Sequence, residues 1–270
     1  MRGVISAGMV SGLESLGLTT AFDVVYGSSA GAISAAYFLA GQAALGTTIY
    51  YEDINTRQFI SCARLASGGS IVDLGFLVDD VIRRRKPLDL ERVLASPSPL
   101  AVLATDVASA QSAVLRGFST PAELLSALRA GATMPAIAGS PWPHQGRRYL
   151  DAALSEPIPV RAAEADGATH VLALLTRPGP MPWRTSVLDR WYVGPRLRRW
   201  SPILADRYLN RGDSYAEILA NIDAGTGPLG RAAVLGLRVP GLLVDNLERD
   251  ADTLRHAAAS GRDAVLDAFK

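Results

Sequence analysis

Short apolar runs alternate along this chain with segments whose apolar positions recur every three or four residues. That alternation argues for an α/β fold in which a mostly parallel sheet is covered by helices. Residues 4–16 read as a helix with Gly17 near its end. Residues 22–26, Phe-Asp-Val-Val-Tyr, read as a buried strand, and the small apolar residues 30–40 as the next helix. Further helices are expected over 49–64 and 73–85, the second capped by Asp73. Residues 100–105 form a short apolar strand beside 112–115. Thr120-Pro121-Ala122-Glu123 starts a helix through a capping box and should end near Gly131. Prolines 135, 141 and 143 with Gly139 make 134–144 an ordered loop, after which 147–150 form a strand that delivers Asp151. A strand over 171–176, a break at 177–182, helices at 185–192 and 202–222, a strand near 234–239 and a helix from Asp250 complete the pattern. With no internal repeat, residues 1–270 read as one domain, its core in 1–176 and a mainly helical part in 183–270.

Charge and cysteine usage narrow the classes. Lysine plus arginine number 27 and aspartate plus glutamate 26, so no overall field favours nucleic acid. Cys62 stands alone, which rules out an intrachain disulfide, points to a reducing compartment and suggests a small buried filler. No apolar run reaches the ~18 residues of a membrane span, and the first residues lack the apolar stretch of a signal peptide. A cytoplasmic protein is expected, with membrane contact no more than peripheral. Trp183, Trp191 and Trp200 flank Arg184, Arg190, Arg196, Arg198 and Arg199. This combination suits a lipid–water boundary, or equally a solvated helix face with tryptophans packed on the core. The cluster from Arg83 to Lys86 ends a helix and complements its dipole without needing a partner. The three histidines have no metal-ligand spacing, and no cofactor is called for.

Chemistry concentrates at Gly27-Ser28-Ser29-Ala30-Gly31. A serine between glycines at a strand-to-helix junction is held on a strained turn with its oxygen clear of the sheet, the glycines being needed because side chains there would collide. The following helix aims its positive end at Ser29. A base must take the hydroxyl proton. His144, His170 and His256 each have a structural reading: proline-rich loop, strand edge and solvated helix face. Asp151 ends a strand, as Ser29 follows one, and can act directly if within hydrogen-bond reach; otherwise it is a turn or capping residue.

Taken together, these pieces resemble the patatin-like phospholipases, the Ser-Asp dyad acyl hydrolases, over most of the chain. The resemblance rests on four features: Arg2-Gly3 before a helix ending Leu-Glu-Ser-Leu-Gly; the elbow around Ser29; the stretch from Ala130 with Pro135 and Trp142-Pro143; and Tyr149-Leu150-Asp151 before Pro157-Ile158-Pro159-Val160. It implies a three-layer α/β fold with a helical C-terminal extension, a lipid or ester substrate, Ser29 as nucleophile and Asp151 as its base. Gly27, Ala30 and Gly31 would shape the elbow, and Arg2 and Gly3 would belong to the oxyanion site. An α/β-hydrolase with a histidine base fits less well, because that fold builds several strands before its nucleophile.

Two departures from the family stand out. The dyad aspartate is followed by Ala152-Ala153 where the family has glycine. The family's oxyanion loop, Gly-Gly-Gly-x-Arg/Lys-Gly, is represented only by Met1 at x, then Arg2 and Gly3. Either the natural protein begins upstream of Met1, which the register of Arg2-Gly3 favours, or the chain lacks its main oxyanion donors. The second case describes a catalytically impaired scaffold, since one lost donor alone costs about 10²- to 10³-fold in turnover.

Overall fold

The computed structural model describes residues 1–135, 137–179, 185, 187 and 189–270. The chain opens with α1 (Gly3–Ser15), β1 (Val25–Ser28), α2 (Ala30–Leu39) and α3 (Ala43–Glu52). A wide-wound π-helical segment, Phe76–Arg85, and the short α4 (Leu90–Leu94) lead to β2 (Leu100–Asp106) and β3 (Ser112–Leu115). Next come α5 (Pro121–Ala132), β4 (Trp142–His144), β5 (Arg147–Asp151), α6 (Val160–Ala165) and β6 (His170–Leu174). The C-terminal part holds α7 (Gly194–Arg198), α8 (Pro202–Leu209), α9 (Arg211–Asp223), β7 (Ala233–Leu237) and α10 (Ala251–Ala268).

β2 is buried along its whole length, as its unbroken apolar run requires of a strand covered on both faces. Its side chains alternate accordingly: Leu100, Val102 and Ala104 join the core built with α1, α2 and α5, while Leu103 faces Ala152 and Ala162. The expected α/β layering therefore holds. β1–β2 and β6–β7 are parallel pairs, each joined through helices that carry the chain back across the sheet. β3 joins β2 and β4 joins β5 antiparallel, because the turns linking each pair are too short for a crossover, and β5 also runs antiparallel to β2.

The register sets up the site. Ser28 of β1 lies opposite Leu103, and Asp151 of β5 lies opposite the next residue, Ala104. Both Leu103 and Ala104 are paired with β3 on their other side. β1 and β5 therefore share one edge of β2, run toward each other along it, and end at adjacent positions.

Helix α1 is buried on most of its surface, wrapped by α2, α3 and α10. Close approach of α10 depends on glycine: a β-carbon at Gly8 would sit 2.8 Å from the Ala258 carbonyl carbon, and one at Gly12 would lie 3.1 Å from Val265 Cβ. On α10 itself Leu254, Ala257, Ala258, Gly261 and Val265 form the buried stripe. Asp250 caps that helix, accepting the Thr253 N–H at 2.7 Å. At α5, Thr120 accepts the Glu123 N–H at 3.2 Å, and Glu123 reaches back to the Ser119 N–H at 2.8 Å, one residue earlier than a standard capping box. Asp73 caps its helix as expected, accepting from the Phe76 N–H.

Several expectations change. The helix expected over 49–64 begins at Ala43 and stops at Glu52, where the Asp53 and Ile54 amides both turn back to the Ile49 carbonyl. Cys62 is exposed at the start of a 3-10 turn rather than buried. The loop over 134–144 ends in a strand, because Trp142 pairs opposite Tyr149, donates its indole N–H to Ser126 and carries Arg129 over its ring at 3.8 Å. The helix over 202–222 breaks at Asn210 into α8 and α9. Of the expected helix over 185–192, residues 185, 187 and 189–192 are described, and from Asp189 a wide turn runs into α7. Trp183 and Arg184 lie outside the described residues. In the basic run ending at Lys86, Arg83 pairs with Asp79, Arg85 with Asp80 and Lys86 with Glu52.

Candidate active site

Ser29 joins β1 to α2 with φ 55° and ψ −129°. For a residue with a side chain this conformation costs about 1–3 kcal/mol and persists only where the surroundings enforce it. Here β1 is locked in register with β2 while α2 starts at once, so the turn has no slack. Gly27 is needed: a β-carbon there would fall 2.7 Å from the Ala32 nitrogen. Gly31 is not needed for that reason. A β-carbon at Gly31 meets nothing within 4 Å, so the collision expected at the second glycine does not occur. What its missing side chain leaves is open space beside the elbow.

Asp151 reaches the serine from the opposite direction along the shared edge. The Ser29 hydroxyl donates to Asp151 Oδ2 at 2.6 Å, and Oδ1 accepts the Ala153 N–H at 2.8 Å. Its backbone is held as firmly, since its N–H donates to the Thr133 carbonyl and the buried Thr105 hydroxyl donates to its own carbonyl, both at 2.9 Å. Asp151 is 1% exposed. Burial pushes it up to about 6, against the opposing pull of the bonds from Ser29 and Ala153. At neutral pH such a group is mostly ionised and still basic enough to accept a hydroxyl proton. Neither Ala152 nor Ala153 has a positive φ, so this turn does not require a glycine after Asp151.

Among the described residues no histidine is hydrogen-bonded to Ser29 or Asp151, although His170 borders the same cavity as Ser29. His144 is buried between the rings of Phe118 and Tyr149 with its Nδ1 on Ser126, and burial pushes it down. His170 pairs with Thr169, and His256 is exposed on α10.

Ser29 and Asp151 open onto a cavity of about 1820 Å³ lined by Val25 of β1 and Leu172 of β6, strands that belong to two different sheets. The N-terminal turn of α1 stands at the elbow. A β-carbon at Gly3 would lie 2.6 Å from Ala30 Cβ, and Arg2 and Gly3 border the same cavity as Ser29.

The patatin-like phospholipase family model matches residues 1–164, which include both the elbow and Asp151. The chain belongs to the patatin-like phospholipase family. The uncharacterised protein YjjU of Escherichia coli (strain K12) is 25% identical over 226 residues, spanning 82% of this chain and 57% of its own length. This chain thus covers just over half of that relative. For a patatin-like phospholipase, a family of lipid acyl hydrolases, an apolar cavity beside a serine is the expected setting. Among the described residues, no helix is long and apolar enough to cross a membrane.

Sequence reasoning missed the supports of Asp151 in this patatin-like chain. Thr105 and Thr133 read as ordinary ends of a strand and a helix. The one signal was polarity: Thr105 interrupts an apolar run at a position that proves fully buried, and a buried hydroxyl must find a partner.

Proposed function

We propose that this protein is a serine lipid acyl hydrolase that works through an acyl-enzyme on Ser29, with Asp151 as the base. The observation that carries the reading is the 2.6 Å hydrogen bond from a strained serine to a buried, raised-pKa carboxylate. Ser29 Oγ attacks the ester carbonyl carbon while its proton passes to Asp151 Oδ2. The tetrahedral oxyanion is received by the Ala30 N–H at the start of α2, with the Arg2 and Gly3 N–H groups at the start of α1 beside it; first-turn amides have no carbonyl partner within their own helix. Collapse breaks the bond to the leaving alcohol, which takes the proton from Asp151. Water then attacks the acyl-enzyme, giving its proton to Asp151, and release of the fatty acid returns a proton to Ser29. The reading takes residues 1–270 as one domain, because α10 closes the core against α1.

Labelling with a fluorophosphonate probe, located by peptide mass, tests the nucleophile alongside hydrolysis of an acyl-length series of esters. The expected result is one adduct on Ser29 and activity lost in Ser29→Ala. No adduct and no turnover above background would instead favour an impaired scaffold.

The same reading includes action from the cytoplasmic side with peripheral membrane contact through the helical segment around Trp191, which is 81% exposed beside exposed Arg190. Arg198 and Arg199 lie on the following helix and its end, and Ile203 is exposed on α8. Binding to anionic vesicles should weaken on charge reversal at Arg198 and Arg199, and unchanged binding would remove the membrane element.

A further inference from the structure

The turn that follows Asp151 is tied to β2 by two hydroxyls for which the proposed chemistry has no use. Thr105 shares the face of β2 that carries Leu103 and is fully buried. Its hydroxyl lies 2.9 Å from the Asp151 carbonyl oxygen and 2.8 Å from the Ser155 hydroxyl. A threonine hydroxyl has one proton to give. Given to the carbonyl, it leaves Ser155 as the donor to Thr105. The protons therefore run one way, from Ser155 to Thr105 and from Thr105 to the Asp151 carbonyl.

Asp151 stands where the chain leaves the sheet. Its place along β2 is set by pairing with Ala104, and after it the backbone enters a single 3-10 turn over Ala152–Leu154. The Ser155 and Glu156 N–H groups close that turn on the Ala152 carbonyl at 3.0 and 2.7 Å. With its N–H held by the Thr133 carbonyl and its C=O by Thr105, the Asp151 Cα–Cβ direction is fixed, and the carboxyl is aimed before its side-chain rotamer is chosen. The aim has little tolerance, because the 2.6 Å bond from Ser29 weakens steeply as distance and angle change. Ser155 is half-buried, and its proton fills an acceptor position on Thr105, which strengthens the bond that Thr105 itself donates.

We propose that Thr105, with Ser155 behind it, is a positioning residue for the catalytic pair: its hydroxyl aims the Asp151 carboxylate at Ser29, so that the proton leaves the nucleophile along a preformed hydrogen bond. The effect on turnover rests on the hydrolase reading above, whereas the effect on the carboxyl follows from the fold alone. Thr105→Val removes the hydroxyl at nearly constant shape and leaves the Asp151 carbonyl without its donor. Thr105→Ser keeps the hydroxyl and removes only a methyl group.

Steady-state hydrolysis of a short ester by the wild type, Thr105→Val, Thr105→Ser and Ser155→Ala tests this, together with a carbon-13 NMR titration of the Asp151 carboxyl in each protein. In Thr105→Val kcat should fall at least about tenfold while KM stays within about twofold, because aim matters to the transition state and not to binding. Thr105→Ser should recover most of the loss. Ser155→Ala should act more weakly in the same direction, and adding it to Thr105→Val should change kcat by less than about twofold, since Ser155 works only through Thr105. The bond from Ser29 favours the ionised carboxyl, so weakening it in Thr105→Val should raise the Asp151 titration midpoint by at least about 0.5 pH unit. A purely structural tie would lower the Tm of Thr105→Val but leave kcat and the midpoint where they are, and that result would overturn the proposal. A full additional loss in the double variant would remove the part given to Ser155. If the wild type turns over no ester and the midpoint still rises in Thr105→Val but not in Thr105→Ser, the positioning role stands and the hydrolase reading fails. A midpoint that does not rise removes the role whatever kcat does.

Discussion

Replacing Asp151 by asparagine should abolish turnover while making the protein more stable at alkaline pH. In the fold the carboxyl sits near 6, against an ordinary value of 3.8. At 1.36 kcal/mol per unit, the ionised form is disfavoured in the native state by about 3 kcal/mol. The native state therefore holds this proton more tightly than the unfolded chain does. The stability contributed by protonated Asp151 is complete below 3.8 and is lost as pH rises through about 6. Relative to Asp151→Asn, which does not titrate, the wild type should gain about 1.4 kcal/mol between pH 8 and pH 5. For a chain of this size that corresponds to about 3–6 °C in relative Tm. At pH 8 the variant should be the more stable protein, less about 1–2 kcal/mol for the imperfect hydrogen bonds that an amide makes to Ser29 and Ala153. Urea unfolding of both proteins at the two pH values measures the difference. In parallel, wild-type kcat/KM for a short ester should rise tenfold per pH unit up to about 6 and then level, as the base ionises. A stability difference that stays constant from pH 8 to pH 5, or a rate inflection near 4, would refute the claim that burial sets the carboxyl.

Two further substitutions probe the frame around the site. Gly27→Val places atoms where Ala32 already lies and must push the start of α2 away; turnover should fall at least about 100-fold, as expected for a misplaced nucleophile, and a loss within threefold would show the elbow to be compliant. Glu164 is 1% exposed and accepts the N–H groups of Leu229, Arg231 and Ala232 at 2.7, 2.8 and 3.0 Å. Glu164→Ala leaves three donors without their acceptor and should cost at least about 3 kcal/mol in urea unfolding; a loss below 1 kcal/mol would mean that water replaces the carboxylate.

Local features were legible because they depend on neighbours in the chain. The elbow, the caps at Asp73 and Thr120, and the start of the last helix near Asp250 follow from residue types at fixed spacings. Gly27 was also readable, since a strand and a helix meeting in three residues must crowd it. Gly31 misled, because a motif does not distinguish a glycine forced by collision from one that faces open space. Cys62 misled for a related reason: composition makes cysteine a core residue on average, while its place in an exposed 3-10 turn was set by the chain on either side.

By itself the sequence determined the α/β alternation, the strained serine between a strand and a helix, and an aspartate at the end of another strand. Only the tertiary structure decided that β5 runs antiparallel to β2 on the same edge that β1 occupies, which brings Ser29 and Asp151 to 2.6 Å. It likewise decided that Asp151 is buried enough to sit near 6. Periodicity records which face of a strand is covered and capping records where a helix starts, both short-range effects. The choice of a strand's partner and direction, and the dielectric around a carboxyl, come from residues distant in the chain, as Ala104 and Ser29 are from Asp151.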